Sequence, residues 1–401
     1  MISGIKNQLC TNGLYLLARD VKNCVTSHVQ AARAAKVVSL KPAGRSRGNA
    51  LLSHIIDGFL LKPGQVVPTT HTNIWEGMEI AKIFMDIGFS VDVISYQNTT
   101  FLPQKPYQLF LDVRNNLERL AEVIGEGCIK VMQLDTKNIL WHDMAEIKRL
   151  LDLQERKGVT LFPRRFQLPN RGLEHAHCGL SIGDRYTQET FRYAGKPIYS
   201  LPIPASVKMP FPEQKDFEAC RNRFLWFGSA GMVQKGLDLV LDAFAEMPEC
   251  HLTVCGAVHN ETDFVQLYRK ELFETPNIHT VGWVDIGSRQ FKEIVDRCAA
   301  TILASCTEGA SVSSVNCMHA GLVPILSVES GVDTGDFGYV LNTSSVAEIK
   351  EIVRRVAQLP PSELARRSRR AWEYANANHT RERFSLVFRE TIEKILSIYG
   401  R

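Results

Sequence analysis

From about residue 50 onward, short apolar runs rich in β-branched residues alternate with longer segments of helical periodicity. This is the pattern of parallel sheets covered by helices. In the first half, Ala50–Ile55, Ser90–Ser95, Gln108–Val113, Ile129–Leu134, Val159–Phe162 and Cys178–Ser181 read as strands. Between the first two, the segment THTNIWEGMEIAKIFMDIGF sets Ile80, Ile83, Phe84 and Ile87 on one helical face. Thr72 or Asn73 is expected to cap this helix, Glu76 to complete a capping box and Gly88 to end it. The stretch KPIYSLPIPASVKMPFPEQK at 196–215 packs five prolines into twenty residues and reads as a linker. Beyond it the alternation resumes, with strands expected at Arg223–Phe227, His251–Cys255, Ile278–Val281, Ala300–Ala304, Val323–Ser327 and Tyr339–Leu341. From Pro361 the chain is helix-forming and rich in Arg and Glu. The pattern predicts an α/β protein of two doubly wound, Rossmann-like domains facing a cleft, with a C-terminal helical tail. The expected divisions are a lead-in at 1–49, a first domain at 50–200, a linker at 201–215, a second domain at 216–380 and a closing helix at 381–401.

Bulk properties narrow the class. A chain of 401 residues exceeds the ~250–300 residues at which single cores stop growing. Its 45% hydrophobic and 22% charged residues are ordinary for a soluble globular protein. No window approaches the roughly 18 uncharged apolar residues of a membrane span, and the N-terminus lacks the pattern of a secretory signal, so the expected location is cytoplasmic. The ten cysteines are scattered without a Cys-x-x-Cys pair, several in apolar runs, as at Cys255 and Cys298; they read as small core residues. Residues 1–49 carry eight Lys/Arg against one acid, a balance of +7, which leaves −3 for the remainder of a chain at +4 overall. Leu14, Leu17, Val21 and Val25 add near-helical apolar spacing there. This segment is either a peripheral membrane contact beside a lipid-linked acceptor or a helix packed on the protein. The mild net charge gives no reason to invoke nucleic acid.

Open α/β sheets bind ligands at the carboxyl ends of their strands, so the loops there are the candidates. After RFLWF, the loop Gly228-Ser229-Ala230-Gly231-Met232-Val233-Gln234-Lys235-Gly236 opens into LDLVLDAF. Small residues admit close backbone approach, and a helix start with one ammonium beside it suits a diphosphate; a tight turn with a solvated lysine is the structural alternative. After AATILA, Glu308 lies just beyond a strand end and Ser311–Ser314 can begin the next helix. A carboxylate there can accept from sugar hydroxyls, and Asn316, one to two turns into the helix, can face the same cleft. In the first half, His71 and Asn73 are expected in the loop after the first strand, with Asp135 and His142 after the fourth. Each is a candidate acceptor-side or catalytic group, or else a satisfied polar residue. Arg164 and Arg165 are either phosphate ligands or interdomain pairing residues, and Trp283 either borders a nucleobase pocket or is buried. No Cys/His cluster has ligand spacing and no Asp-x-Asp pair occurs, so no metal is expected. Neither Gly-x-Gly-x-x-Gly nor Gly-x4-Gly-Lys-Ser/Thr is present, which argues against a hydride-transferring or P-loop enzyme.

Over roughly residues 220–400, FGSAGMVQKGLDLVLDAF, NIHTVGWV, EGASVSSVNCMHAGLVP and the arginine-rich tail together resemble the retaining family 4 (group 1) glycosyltransferases of GT-B type. The resemblance implies that Lys235 holds the donor diphosphate and that Glu308 contacts the donor sugar, with the amides of Ser311, Val312 and Ser313 over the phosphates. Gly228, Ser229 and Gly231 would complete the donor loop. Asn316 stands where the family has a second Glu that binds the ribose, and Ser229 where many members have a clamp arginine; the loop is also one residue longer than the commonest form. Asn316 can still bond a ribose hydroxyl, without charge assistance. The implied reaction moves a sugar, with retention, from a UDP- or GDP-sugar to a glycan or lipid-linked acceptor, in cell-surface polysaccharide or glycoconjugate synthesis, with no obligatory cofactor. The departures at Ser229 and Asn316 leave an alternative, a catalytically degenerate GT-B protein that binds a glycan, nucleotide or partner.

Overall fold

A computed structural model describes residues 31–65, 67 and 72–400. His71 and the apolar stripe Leu14 to Val25 lie outside the described residues.

Two sheets form the two halves. The first has seven strands: β1 (Val37–Leu40), β2 (Gly48–His54), β3 (Phe89–Ser95), β4 (Leu109–Asp112), β5 (Ile129–Leu134), β6 (Cys178–Ile182) and β7 (Ile198–Leu201). Their order is β1-β3-β2-β4-β5-β6-β7, parallel except for the antiparallel edge β1. The second sheet, wholly parallel, has six: β8 (Arg223–Phe227), β9 (His251–Cys255), β10 (Ile278–Gly282), β11 (Ala300–Leu303), β12 (Val323–Ser327) and β13 (Tyr339–Leu341). They run in the order β10-β9-β8-β11-β12-β13. Central strands such as β4, β5, β11 and β12 are buried along their whole length, as strands covered by helices on both faces must be.

All six strands expected in the second half are present. In the first half the structure differs at three places. Val159–Phe162 is not a strand: β6 already pairs with β5, so this apolar run has no edge to join, and Phe162 is left 69% exposed. Two edge strands fall outside the expected set, β1 in the basic lead-in and β7 between Pro197 and Pro202 at the start of the proline-rich stretch.

The helices that matter for the site are α1 (Thr72–Asp86), α2 (Asn116–Ile124), α3 (Ile139–Lys157), α4 (Leu237–Ala245), α5 (Val312–His319), α6 (Val346–Ala357), α7 (Pro361–Asn378) and α8 (Arg381–Tyr399). On α1, Ile80, Ile83 and Phe84 are buried as their spacing predicts. The expected caps are not: Thr72 and Asn73 are already helical. Glu76 forms no capping box either; it is buried and accepts from Gln133 Nε2 at 2.5 Å.

The chain passes between the halves twice. After α7, which packs on α5 and β12, α8 returns to the first half. There Phe384 meets Trp75 edge-on at 5.9 Å and Phe388 meets Phe84 at 6.1 Å. Each fully buried Phe contributes about 2 kcal/mol, so α8 clamps the first half from a position remote in sequence. Between the halves, α3 is the main bridge. Arg149 donates to the Ala304 carbonyl at 2.9 Å, Arg156 pairs with Asp238 and Asp242, and Lys157 pairs with Asp242 at 2.6 Å. Among the described residues no helix is long and apolar enough to cross a membrane.

Candidate functional site

The order of the second sheet explains how two loops far apart in sequence meet. Counted along the chain, its strands stand 3-2-1-4-5-6, so the order reverses between β8 and β11, and ligands bind where such a reversal opens a crevice. The loop after β8 carries Lys235 and the loop after β11 carries Glu308. They are stitched together: Cys306 N donates to the Gln234 carbonyl at 2.8 Å, and Gln234 Nε2 donates to the Thr307 carbonyl and to Ser305 Oγ. Lys235 Nζ donates to Glu308 Oε1. The pair is nearly closed off from solvent, with side-chain exposures of 7% and 14%. Burial pushes the Glu308 carboxyl up, but the charges of Lys235, Arg165 and Lys137 outweigh it and hold the group below the usual carboxylate range.

A cleft of about 270 Å³ opens between the halves here. Of the residues expected at the site, it gathers Asn73, Asp135, His142, Gly228, Ser229, Lys235, Glu308, Ser311, Val312, Ser313 and Asn316, together with Arg165 and Trp283. Gly231 is not among them. Its amide and that of Met232 donate to the buried carboxylate of Glu261, at 2.6 and 3.2 Å. Glu261 thus fills the place that the glycine-rich loop was expected to offer to phosphate. The start of α5 is partly used as well. Ser311 N donates to Ser330 O and Val312 N to Ala310 O, while Ser311 Oγ caps Ser314 N. Of the three amides assigned to phosphate, that of Ser313 is the one without such a bond among the described residues; it lies in the first helical turn, where no intrahelical carbonyl is in reach. Asn316 is held by the proline-rich stretch: its Oδ1 accepts from Ser206 N at 3.1 Å, and Ser206 Oγ bonds Thr72 Oγ1 at 2.6 Å.

On the opposite wall, Asn73 lies in the first turn of α1 rather than in a loop, and His142 in the first turn of α3. The carbonyl of Arg165 can only accept, so His142 Nε2, 3.0 Å away, carries the proton. Its Nδ1 then accepts from Thr307 Oγ1 at 3.2 Å. Burial lowers this imidazole's pKa, opposed by the Arg165 carbonyl and Glu308, and the neutral ring joins the two halves. Asp135 is engaged by Arg114 at 2.6 Å, whose other arm reaches Gln167. Arg164 pairs across the halves with Asp263 at 2.5 Å.

Three cleft residues were missed by the sequence reading. Arg114 lies two positions past the end of β4, so the strand-end rule alone points to it. Glu76 was assigned to a cap. Burial, reinforced by Asp135 and opposed by the Gln133 bond, pushes its carboxyl up to about 8. Gly309 contributes backbone only: a Cβ there would strike the Asp135 carbonyl, and its own carbonyl is approached by Gly183, Gly331 and Thr187 Oγ1. Lys137 closes the same junction, donating to the carbonyls of Glu308 and Glu329 at 3.0 and 2.6 Å. Among the described residues no group of three or more His, Cys, Asp or Glu side chains is arranged to hold a metal. The eight cysteines in the described residues are free, seven of them buried.

Residues 221–358 match the family model described as Glycosyl transferases group 1. No curated protein matches the chain by sequence. Among solved structures, sucrose-phosphate synthase from Thermosynechococcus elongatus superposes with a TM-score of 0.62 at 12% identity, over 88% of this chain and 100% of that one. Anabaena HepE in complex with UDP-glucose gives 0.52 at 15% identity, over 88% and 100%. TarM of S. aureus, in complex with fondaparinux, α-GlcNAc-glycerol and UDP, gives 0.50 at 10% identity, over 73% and 55%. The two-sheet architecture is that of the GT-B glycosyltransferases, and residues 221–358 carry a glycosyl transferases group 1 domain.

Proposed function

We propose that this chain is a retaining, family 4 glycosyltransferase. It moves a sugar from a UDP- or GDP-sugar to a glycan or lipid-linked acceptor, in cell-surface polysaccharide or glycoconjugate synthesis. The observation that carries this reading is the convergence of Lys235, Glu308 and the start of α5 on one cleft, at the strand reversal of the half that matches the group 1 model. The similarity to HepE in complex with UDP-glucose and to TarM in complex with UDP supports a nucleotide-sugar donor.

The chemistry asked of these residues is electrostatic. As the anomeric bond breaks, charge gathers on the departing diphosphate, and preorganised donors aimed at that charge lower the barrier. This role falls, on our reading, to Lys235 and the Ser313 amide. Glu308 accepts from donor-sugar hydroxyls once its lysine is shared with the diphosphate. Trp283, 49% exposed at the cleft, offers an open ring face to the nucleobase. Asn73, Asp135 and His142 stand on the wall that would meet the acceptor.

One observation favours the degenerate alternative: in the structure Lys235 is closed onto Glu308 and Asn316 onto Ser206. A panel of nucleotide-sugars, scored by thermal shift and by slow hydrolytic release of nucleoside diphosphate, separates the two readings. The expected result is stabilisation by one donor together with release, and anomeric NMR of the product then reports retention. Binding without release favours the degenerate reading, and silence across the panel removes the donor site altogether.

A further inference from the structure

The cleft holds one cation that the donor reading leaves unused. Arg165 belongs to the first half, on the segment that follows α3, yet its side chain lies against the loop after β8. A Cβ on Gly231 would sit 2.7 Å from Arg165 Cγ and 3.2 Å from Cδ, so the stem is fitted to the bare Cα of that glycine. Its backbone is pinned from both sides. The amide donates to the two oxygens of Glu146 at 3.2 and 3.1 Å, and the carbonyl accepts from His142 Nε2 at 3.0 Å and Gln167 Nε2 at 2.9 Å.

The neighbouring cations are committed: Lys235 to Glu308, Arg114 to Asp135, Arg164 to Asp263, and Lys137 to two carbonyls. Among the described residues Arg165 makes no ion pair, and its Nε is buried without an acceptor. A buried guanidinium N–H in that state is costly, and an anion carrying several oxygens relieves it. The space beside it is the one that Lys235 and the start of α5 face.

We propose that Arg165 is a ligand of the donor's diphosphate, reaching it from the first half while Lys235 and α5 hold it from the second. The inference rests on the nucleotide-sugar reading. It adds that the diphosphate ties the two halves together, and that the guanidinium comes from the wall opposite Ser229.

Calorimetric titration of the full chain with UDP, GDP, UMP and GMP tests it. Arg165→Ala is expected to weaken the bound diphosphate by roughly tenfold or more, as loss of a charge-assisted contact implies, while the monophosphate changes far less. Arg165→Lys should recover part of the preference for diphosphate, and unchanged melting curves exclude misfolding. Lys235→Ala is the control. If it weakens the diphosphate and Arg165→Ala does not, or if Arg165→Ala lowers mono- and diphosphate alike, the assignment of Arg165 is wrong and the donor site stands. If the unsubstituted chain binds none of the four nucleotides, the donor reading falls and this inference with it.

Discussion

The two walls of the cleft handle charge in opposite ways. The second-half wall meets its charged groups with partners on the spot: Lys235 faces Glu308, and Glu261 lies in the amides of the glycine-rich loop. The first-half wall instead discharges two of its titratable groups by burial. Glu76 is pushed up to about 8, and His142 is neutral between two bonds. The first arrangement suits a ligand that arrives charged, since an anion can compete with Glu308 for Lys235. The second suits a partner that offers hydroxyls, since neutral groups bind these without desolvating a charge.

The sharpest way to break this contrast is Lys235→Ala. A carboxylate held at 14% exposure would lose its counter-charge, and roughly 3 kcal/mol of stability should go with it. Turnover of a donor identified by the panel should fall at least about a hundredfold, the scale of one lost electrostatic donor. Adding Glu308→Gln should return most of the stability and none of the turnover. Urea denaturation and donor release read the two effects separately; a Lys235→Ala protein as stable as the original would show that the pair does not hold the wall.

Arg156→Ala comes next. This guanidinium crosses from α3 to Asp238, whose carboxylate is wholly buried, and to Asp242. About 2 kcal/mol should be lost, with the urea transition broadening or splitting as the halves uncouple. A single, unshifted transition would assign the coupling to Arg149 and Lys137 instead.

The smallest effect tests the discharged wall. Glu76 binds a proton in the folded chain up to about pH 8 but releases it near 4.5 when unfolded, so its contribution to stability falls as pH rises between those values. His54 and His379, both lowered to about 4, act oppositely, adding stability as pH rises from about 4 to 6.5. The Glu76 slope is therefore free of them between pH 6.5 and 8, at roughly 1 kcal/mol per pH unit. Glu76→Gln should lose less stability than the unsubstituted chain across that window; equal losses would mean that Glu76 is already ionised at pH 6.5.

Legibility in the sequence followed the same division. The central strands of the second sheet, β8, β11 and β12, are short apolar runs set between helical segments, and that regular alternation made even its mixed-burial edges β10 and β13 readable; Lys235 and Glu308 stand in the loops after β8 and β11. In the first half, β1 and β7 are edges with mixed burial, and nothing local separates them from a lead-in or a linker. Val159–Phe162 has strand composition but no partner to pair with. The features that most change the picture of the site depend on contacts distant in sequence. Glu261 reaches Gly231 across 30 positions and Ser206 reaches Asn316 across 110, and no spacing rule announces either. Glu76 was misread because a local motif, the capping box, explained it without the tertiary partner that in fact holds it.

Gly183, Gly309 and Gly331 come from three separate loops, and the first and last both crowd the carbonyl of Gly309 at the cleft. A side chain at Gly183 or Gly331 would strike the Gly309 carbonyl, and one at Gly309 the Asp135 carbonyl. Because the obstacle at each position is main chain, no change of neighbouring side chains clears it. For anyone diversifying this protein, the three codons therefore behave as a single locus with one allowed allele: a library that randomises any of them spends its members on the same failure, and no second-site substitution among the other two can rescue it.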